Sequence, residues 1–287
     1  MTLIYGFINS VILALVALGF NLTFGISGVS NFAYGALYIM SGYIVWILIN
    51  QFSAPFFVAA LVSVTVTAIL GALLYRLVLL RVRGQVISEV IATFGVGLAI
   101  LELFRFLGFT GFEYTLPPFT DGAILIGNTY VDHQRLWIVG AGVFIAIGLY
   151  FFTHHTKIGL AFRGIAQEEK TALSLGINSD FMAGLSVAFG SGLAAVAAIV
   201  ILPRGTISVN DGYDVLINAM AVCIVGGLGS TVGVVVASFI IGYAQMATDV
   251  LSGPHWKMIV SLIAIFVILI VKPSGLFGKQ KELEERI

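Results

Sequence analysis

The sequence predicts an all-α integral membrane protein, a single domain over residues 1–287 crossing the bilayer with about eight or nine helices. Three observations carry that prediction. Hydrophobic residues make up 59% of the chain and charged ones 10%, whereas a soluble domain carries about a quarter charged residues. The mean hydropathy is +1.07. Uncharged stretches close to the length of a bilayer crossing recur from one end of the chain to the other.

Taken in order, Leu3–Phe24 is the first span. No positively charged stretch of the kind that opens a secretory signal precedes it. Val29–Asn50 and Ala54–Tyr75 follow, both uncharged. Ile87–Phe104 is apolar apart from Glu89 and Glu102. Leu136–Thr153 is slightly shorter but adequate, and Phe181–Leu202 is uncharged. Val215–Thr248 holds no charge yet is too long for one crossing. Gly226, Gly227, Gly229, Ser230 and Gly233 divide it into two helices at a glycine-rich turn. Met258–Val271 is the shortest, with Trp256 as interfacial anchor and Lys257 snorkelling outward.

Orientation follows from basic residues in short loops. Arg76, Arg81 and Arg83 form one cluster, Lys157, Arg163 and Lys170 a second, and Lys272, Lys279, Lys281 and Arg286 a third. Even numbers of spans separate the clusters, so all three can face the cytoplasm. That places the carboxyl tail inside and the amino terminus outside. Spans one to four and six to nine are offset by an odd number, so the two halves are expected to run oppositely through the membrane as inverted repeats, an arrangement found in transporters.

Several segments carry chemistry. The loop 154–180 is the longest hydrophilic stretch on the predicted cytoplasmic side. Ala161–Leu175 is rich in helix formers and Gly176 is placed to stop the helix. Leu160, Ile165, Ala172, Leu173 and Leu175 give it apolar contacts. Glu168 and Glu169 beside Lys170 make its charge mixed, which suits docking onto a protein better than onto anionic lipid. Phe24–Gly35 places glycines, serines and Asn31 between two spans. It is either a broken helix lending polar groups to a solute path or a tight turn at the interface. Val225–Gly233 lacks the lysine of a phosphate-binding loop and suits close helix packing.

Glu89 and Glu102 sit near the ends of their span. An interfacial or ion-paired role suits them, with Arg105 one turn from Glu102. The four histidines form no metal-ligand spacing, and Cys223, the one cysteine, reads as a small apolar filler. A net charge of zero gives nucleic acid nothing to hold. No nucleophile or zincin motif points to an enzyme.

Together these pieces resemble a family, the LivH-like permease subunits of branched-chain amino-acid ABC importers. Asn21-Leu22-Thr23-Phe24-Gly25 leading to Asn31-Phe32-Ala33-Tyr34-Gly35 is similar to its N-F-A-H-G element, with tyrosine at the usual histidine. Arg76–Arg81 resembles its basic loop, without the following proline. Gly159–Asn178 is similar to its coupling loop, Val225–Gly233 to its V-x-G-G-x-G-S-x-x-G element, and Lys272–Gly278 to its P-x-G-[IL]-x-G ending.

The resemblance implies a permease of the type II importer kind. Its coupling loop, carried by Gly159, Arg163, Ala166, Glu168, Glu169, Leu175 and Gly176, would dock into an ATP-binding subunit. A paralogous LivM-like permease and an extracytoplasmic solute-binding protein would complete the importer in the cell (inner) membrane. No cofactor is expected in this chain, ATP being held by the partner ATPase. Asn21, Ser27, Ser30, Asn31, Tyr34 and Asn218 are the candidate polar residues of the solute path. The competing readings are the same importer type for urea, short amides or aromatic acids, and a stand-alone secondary carrier.

Overall fold

A computed structural model describes residues 2–26, 28–29, 31–109, 114–126 and 129–278. Helix α1 (Thr2–Phe20) runs into a π-helical turn, Asn21–Ile26. After α2 (Tyr34–Asn50), α3 (Phe56–Leu74) likewise ends in a π turn, Tyr75–Leu79, continued by the one-turn α4 (Leu80–Val82). Helix α5 (Val86–Phe106) leads to a hairpin of β1 (Ala123–Ile126) and β2 (Thr129–Asp132), and α6 (His133–His155) follows. The short α7 (Lys157–Gln167) and α8 (Glu169–Ser174) precede α9 (Ser179–Ile201). The chain closes with α10 (Asp211–Gly226), α11 (Thr231–Ser252) and α12 (Lys257–Val271).

Among the described residues seven helices are long and apolar enough to cross a bilayer, and Tyr34–Asn50 is a shorter apolar helix. The division of Val215–Thr248 at the glycine-rich turn stands, between α10 and α11. Three expectations are adjusted. The architecture is helical, but the loop after α5 holds an antiparallel hairpin that pairs Ala123 with Asp132. The span expected from Val29 begins as helix only at Tyr34. The helix expected to start at Val215 starts four residues earlier, at Asp211, and so takes in Asp211 and Asp214.

The packing has inverted pairwise symmetry. Helix α1 lies antiparallel along α11, with Leu3, Gly6 and Ser10 beside Tyr243 and Gly242, and Gly25 beside Gly229. Helix α9 lies antiparallel along α3 in the same way, with Gly192 beside Ala68, Ser191 beside Gly71, and Gly184 beside Tyr75. The two contacts match in detail. Ser10 of α1 fills the space over Gly242, and Ser191 of α9 fills the space over Gly71. Each serine bonds its own helix, Ser10 donating to Gly6 O at 2.8 Å and Ser191 to Val187 O at 2.7 Å. A glycine facing a small hydroxyl lets two backbones approach where lipid supplies no hydrophobic drive for association. Exchanging α1, α2, α3 and α5 for α9, α10, α11 and α12 reproduces the packing partners of α1, α2, α3 and α9. Helix α6 stands outside the exchange and packs on α1.

Helices α2 and α10 meet at the centre. Gly35, in the first turn of α2, packs against the backbone of Gly212, in the first turn of α10. Gly97, near the middle of α5, touches Ala33, and Leu101 touches Gly212. Both helices therefore start deep within the bundle and run to opposite surfaces. The core is continuous around them, with Phe20, Tyr34, Leu37, Ile39 and Tyr43 inaccessible to solvent.

Candidate functional site

The break between α1 and α2 is built by the polar residues that the sequence singled out. Regular α-helical bonding gives way to a π turn at Asn21, and π turns recur at functional positions in membrane and soluble helices. Asn21 is 1% exposed, and its Oδ1 accepts a hydrogen bond from Gly229 N at 3.1 Å across the bundle. Asn31 is fully buried, with Oδ1 accepting from Ala33 N at 3.2 Å. Thr93 Oγ1 of α5 accepts from Phe32 N at 3.0 Å and fixes the lead-in to α2. Tyr34 is fully buried among Phe20 and neighbouring rings, and its hydroxyl donates to Val16 O at 2.8 Å. Of the two readings of Phe24–Gly35, the geometry is that of a broken helix, since α2 starts beside the middle of α5. Ser27 and Ser30 lie outside the described residues.

The amide nitrogens of Asn21 and Asn31 are buried without a hydrogen-bond partner among the described residues. A buried donor left unpaired costs about 1–3 kcal/mol, so the two asparagines carry unused donor capacity on either side of the break. Asn218, the remaining candidate, is placed elsewhere. Its Oδ1 accepts from Ser261 Oγ at 2.7 Å and from Gln245 Nε2 at 3.0 Å, and Gln245 Oε1 accepts from Asn9 at 3.0 Å. This chain of amides ties α1, α10, α11 and α12 together.

The glycine cluster and the carboxyl-terminal element, distant in sequence, form one structure. Gly226 and Gly227 end α10, with Gly227 at φ 95°, and Gly275 and Gly278 stack on Gly227. Leu276 N donates to Val225 O at 2.9 Å and Phe277 N to Gly226 O at 3.0 Å. Gly229, at φ 84°, lies against Gly25. The π turn, the glycine-rich turn and the tail are thus joined through backbone, at positions where any Cβ would collide.

The second surface is the loop 154–180. Thr156 caps α7, its hydroxyl accepting from Gly159 N at 3.0 Å. A Cβ on Gly159 would strike Phe152 O, so glycine sets the sharp corner from α6. The single helix expected over Ala161–Leu175 is two helices, because the backbone is extended at Glu168 (φ −152°, ψ 100°). Gly176, at φ 81°, ends α8 as expected, with Ile177 N donating to Ala172 O at 3.1 Å.

The inner face of this hairpin is anchored. Phe162 is fully buried against Leu22, Leu149, Phe152 and Met182, and Ala161, Ile165 and Ala172 are buried with it. Its outer face is apolar and uncovered in this chain, with Leu160 and Leu173 51% exposed and Leu175 76% exposed. Arg163 is partly buried and Glu168 exposed; of Ala166 and Glu169 only the backbone belongs to the described part. Nearby, Arg83 ties the end of α4 to Ser179 and Asp180 at the start of α9.

The acids of α5 divide. Glu102 pairs with Arg105, as its spacing predicted. Glu89 is 5% exposed, buried rather than near water, and its Oε1 accepts from Gly84 N at 3.0 Å. The carboxylates that sequence reasoning missed are Asp211 and Asp214, excluded by setting the start of that span at the first charge-free residue.

Comparison with known proteins gives one family profile over nearly the whole chain. The profile described as "Branched-chain amino acid transport system / permease component" matches residues 2–269. BraD of Pseudomonas aeruginosa, a high-affinity branched-chain amino acid transport system permease protein, is 27% identical, with 93% of this chain and 91% of that one aligned. LivH of Escherichia coli K12 is also 27% identical over the same shares. The ribose import permease protein RbsC of the same organism is 24% identical over 90% of this chain and 81% of its own. Among solved structures, PsaBC from Streptococcus pneumoniae shares the fold at a TM-score of 0.57 and 13% identity, covering 96% of this chain and 94% of that one. The profile spans nearly the whole described bundle, from the first helix to the last, and the chain belongs to the branched-chain amino acid transport system permease family.

Proposed function

We propose that this chain is one membrane-spanning subunit of an ATP-driven importer for branched-chain amino acids. The observation that carries the reading is the combination of the family match over residues 2–269 with an α7–α8 hairpin whose inner face is anchored and whose outer leucines are bare. A bare apolar ridge flanked by mixed charge fits a groove on a soluble protein. Here that protein is the ATP-binding subunit, with Gly159 and Gly176 shaping the hairpin and Arg163, Ala166, Glu168, Glu169 and Leu175 at or near the contact. A second, paralogous permease and an extracytoplasmic binding protein complete the assembly. The amino terminus lies outside, the carboxyl terminus inside, and nine helices cross or enter the bilayer. Asn21, Ser27, Ser30, Asn31 and Tyr34 flank the solute path at the α1–α2 break, supported by the two unpaired amide donors.

Affinity purification of the tagged chain in mild detergent tests this reading. An ATPase and a second hydrophobic permease are expected to copurify. The double change Glu168→Lys, Glu169→Lys is expected to lose the ATPase while the chain still inserts in the membrane. A homo-oligomer without ATPase, reproduced in several detergents, would favour a secondary carrier instead.

A further inference from the structure

Asp214 is a carboxylate in an unusual place. It belongs to the first turns of α10, the helix that starts inside the bundle. Its neighbours Gly212, Tyr213 and Leu216 line a shallow apolar groove with Phe94, Gly97, Leu98 and Leu101 of α5. Residues 94–101 are the middle of α5, a 21-residue helix, so Asp214 sits at mid-depth in the hydrocarbon region. Yet it is exposed on this chain's surface, and no ion pair or hydrogen bond to its side chain occurs among the described residues. Asp211, one turn earlier, is accounted for, since its Oδ2 accepts from Ser208 N at 3.3 Å at the helix start.

Lipid does not cover such a group. A carboxylate at the bilayer centre costs about 2.5–3.5 kcal/mol even on insertion scales, and intramembrane acids accordingly face protein or a water-filled cavity. The exposed surface of α12 is apolar throughout its middle, with Leu262, Ile263, Phe266, Val267 and Ile270, as lipid requires. The favourable dipole at the start of α10 makes an acid tolerable there, but it does not explain why the acid points away from its own bundle.

Building on the function proposed above, we propose that Asp214 lines the aqueous solute path, covered by the second permease, and that it pairs with the ammonium group of the passing amino acid. The pairing is transient, because the capturing affinity belongs to the binding protein. Asp214 therefore sets transport rate and solute preference and leaves capture alone.

Two measurements on the whole importer test this. In proteoliposomes with binding protein and ATP, Asp214→Asn is expected to slow leucine uptake at least about tenfold, the effect of losing one charge-assisted contact. Asp214→Glu is expected to recover most of the rate, and stimulation of ATP hydrolysis by loaded binding protein is expected to persist in both. Separately, Asp214→Cys is expected to react with a membrane-impermeant thiol reagent in the assembled complex. Labelling is read on this chain's own band, where Cys223, the other cysteine, is fully buried. Wild-type uptake by Asp214→Asn, or no labelling of Asp214→Cys in an assembled importer, overturns the proposal. If the wild-type importer moves no leucine, the functional reading falls and the ammonium role with it, whatever the labelling shows.

Discussion

At the residue scale the structure turns on small side chains at helix crossings. Ser10 over Gly242 and Ser191 over Gly71 hold the two pseudo-symmetric helix pairs at contact distance. A methyl at Gly242 would meet the backbone of Ser10, 2.6 Å from its Cα, and neither backbone can yield locally. Gly242→Ala and Gly71→Ala are therefore each expected to lower stability by about 1–3 kcal/mol, the usual cost of overpacking a tight core. Gly140→Ala and Gly148→Ala on α6, where the added methyl meets nothing within 4 Å, are expected to be neutral or slightly stabilising through helix propensity. Unfolding midpoints in detergent for the four variants check this. Equal effects at all four positions would remove the close-packing account. None of these contacts was legible in the sequence. Glycine and serine abound in the chain, and only the fold pairs Ser10 with a residue 232 positions away.

At the element scale the α7–α8 hairpin joins two surfaces. Phe162 on its inner face packs on Leu22, inside the π turn that carries Asn21, while Leu160, Leu173 and Leu175 face outward. A push on the outer leucines thus reaches the α1–α2 break through one buried ring. Phe162→Ala is expected to leave ATPase binding intact and to reduce ATP-driven uptake by at least about tenfold, since deleting a buried phenylalanine removes about 3–5 kcal/mol of packing. Copurification and uptake measured on the same preparation separate the two effects. Loss of binding together with uptake would show that the ring merely holds the hairpin folded.

The helical character of this loop, its mixed charge and its stop at Gly176 were readable from composition and turn chemistry, as one helix over Ala161–Leu175. Its division at Glu168 was not, because no glycine or proline marks the break. The same holds for α2. Residues 28–33 are uncharged, so hydropathy runs on towards α2 through a stretch in which Phe32 N is held by the Thr93 side chain and not by a helical carbonyl. Asp211 and Asp214 escaped for the converse reason. A span defined by absence of charge cannot contain a functional acid.

At the scale of the whole molecule, hydropathy located the long helices because lipid imposes apolar length on every crossing. The offset of five spans anticipated an inverted arrangement, which the opposite run of α1 and its counterpart α9 exhibits, with Gly19 beside Leu193 and Thr23 beside Gly190. The orientation proposed here makes a direct prediction. A single cysteine at Asp121, in the loop before the hairpin, is expected to react with impermeant reagent added outside intact cells. One at Leu175 is expected to react only after the membrane is opened. The reverse pattern would invert the topology and detach the α7–α8 hairpin from any cytoplasmic ATPase.

On the function proposed, solute movement through this chain is driven by ATP hydrolysed on a partner. The most direct test is leucine uptake into proteoliposomes holding the copurified complex, with binding protein outside and ATP or a non-hydrolysable analogue inside. Leucine is expected to accumulate against its gradient with ATP and not with the analogue. Accumulation that ignores ATP but follows an imposed ion gradient would contradict it and identify a secondary carrier.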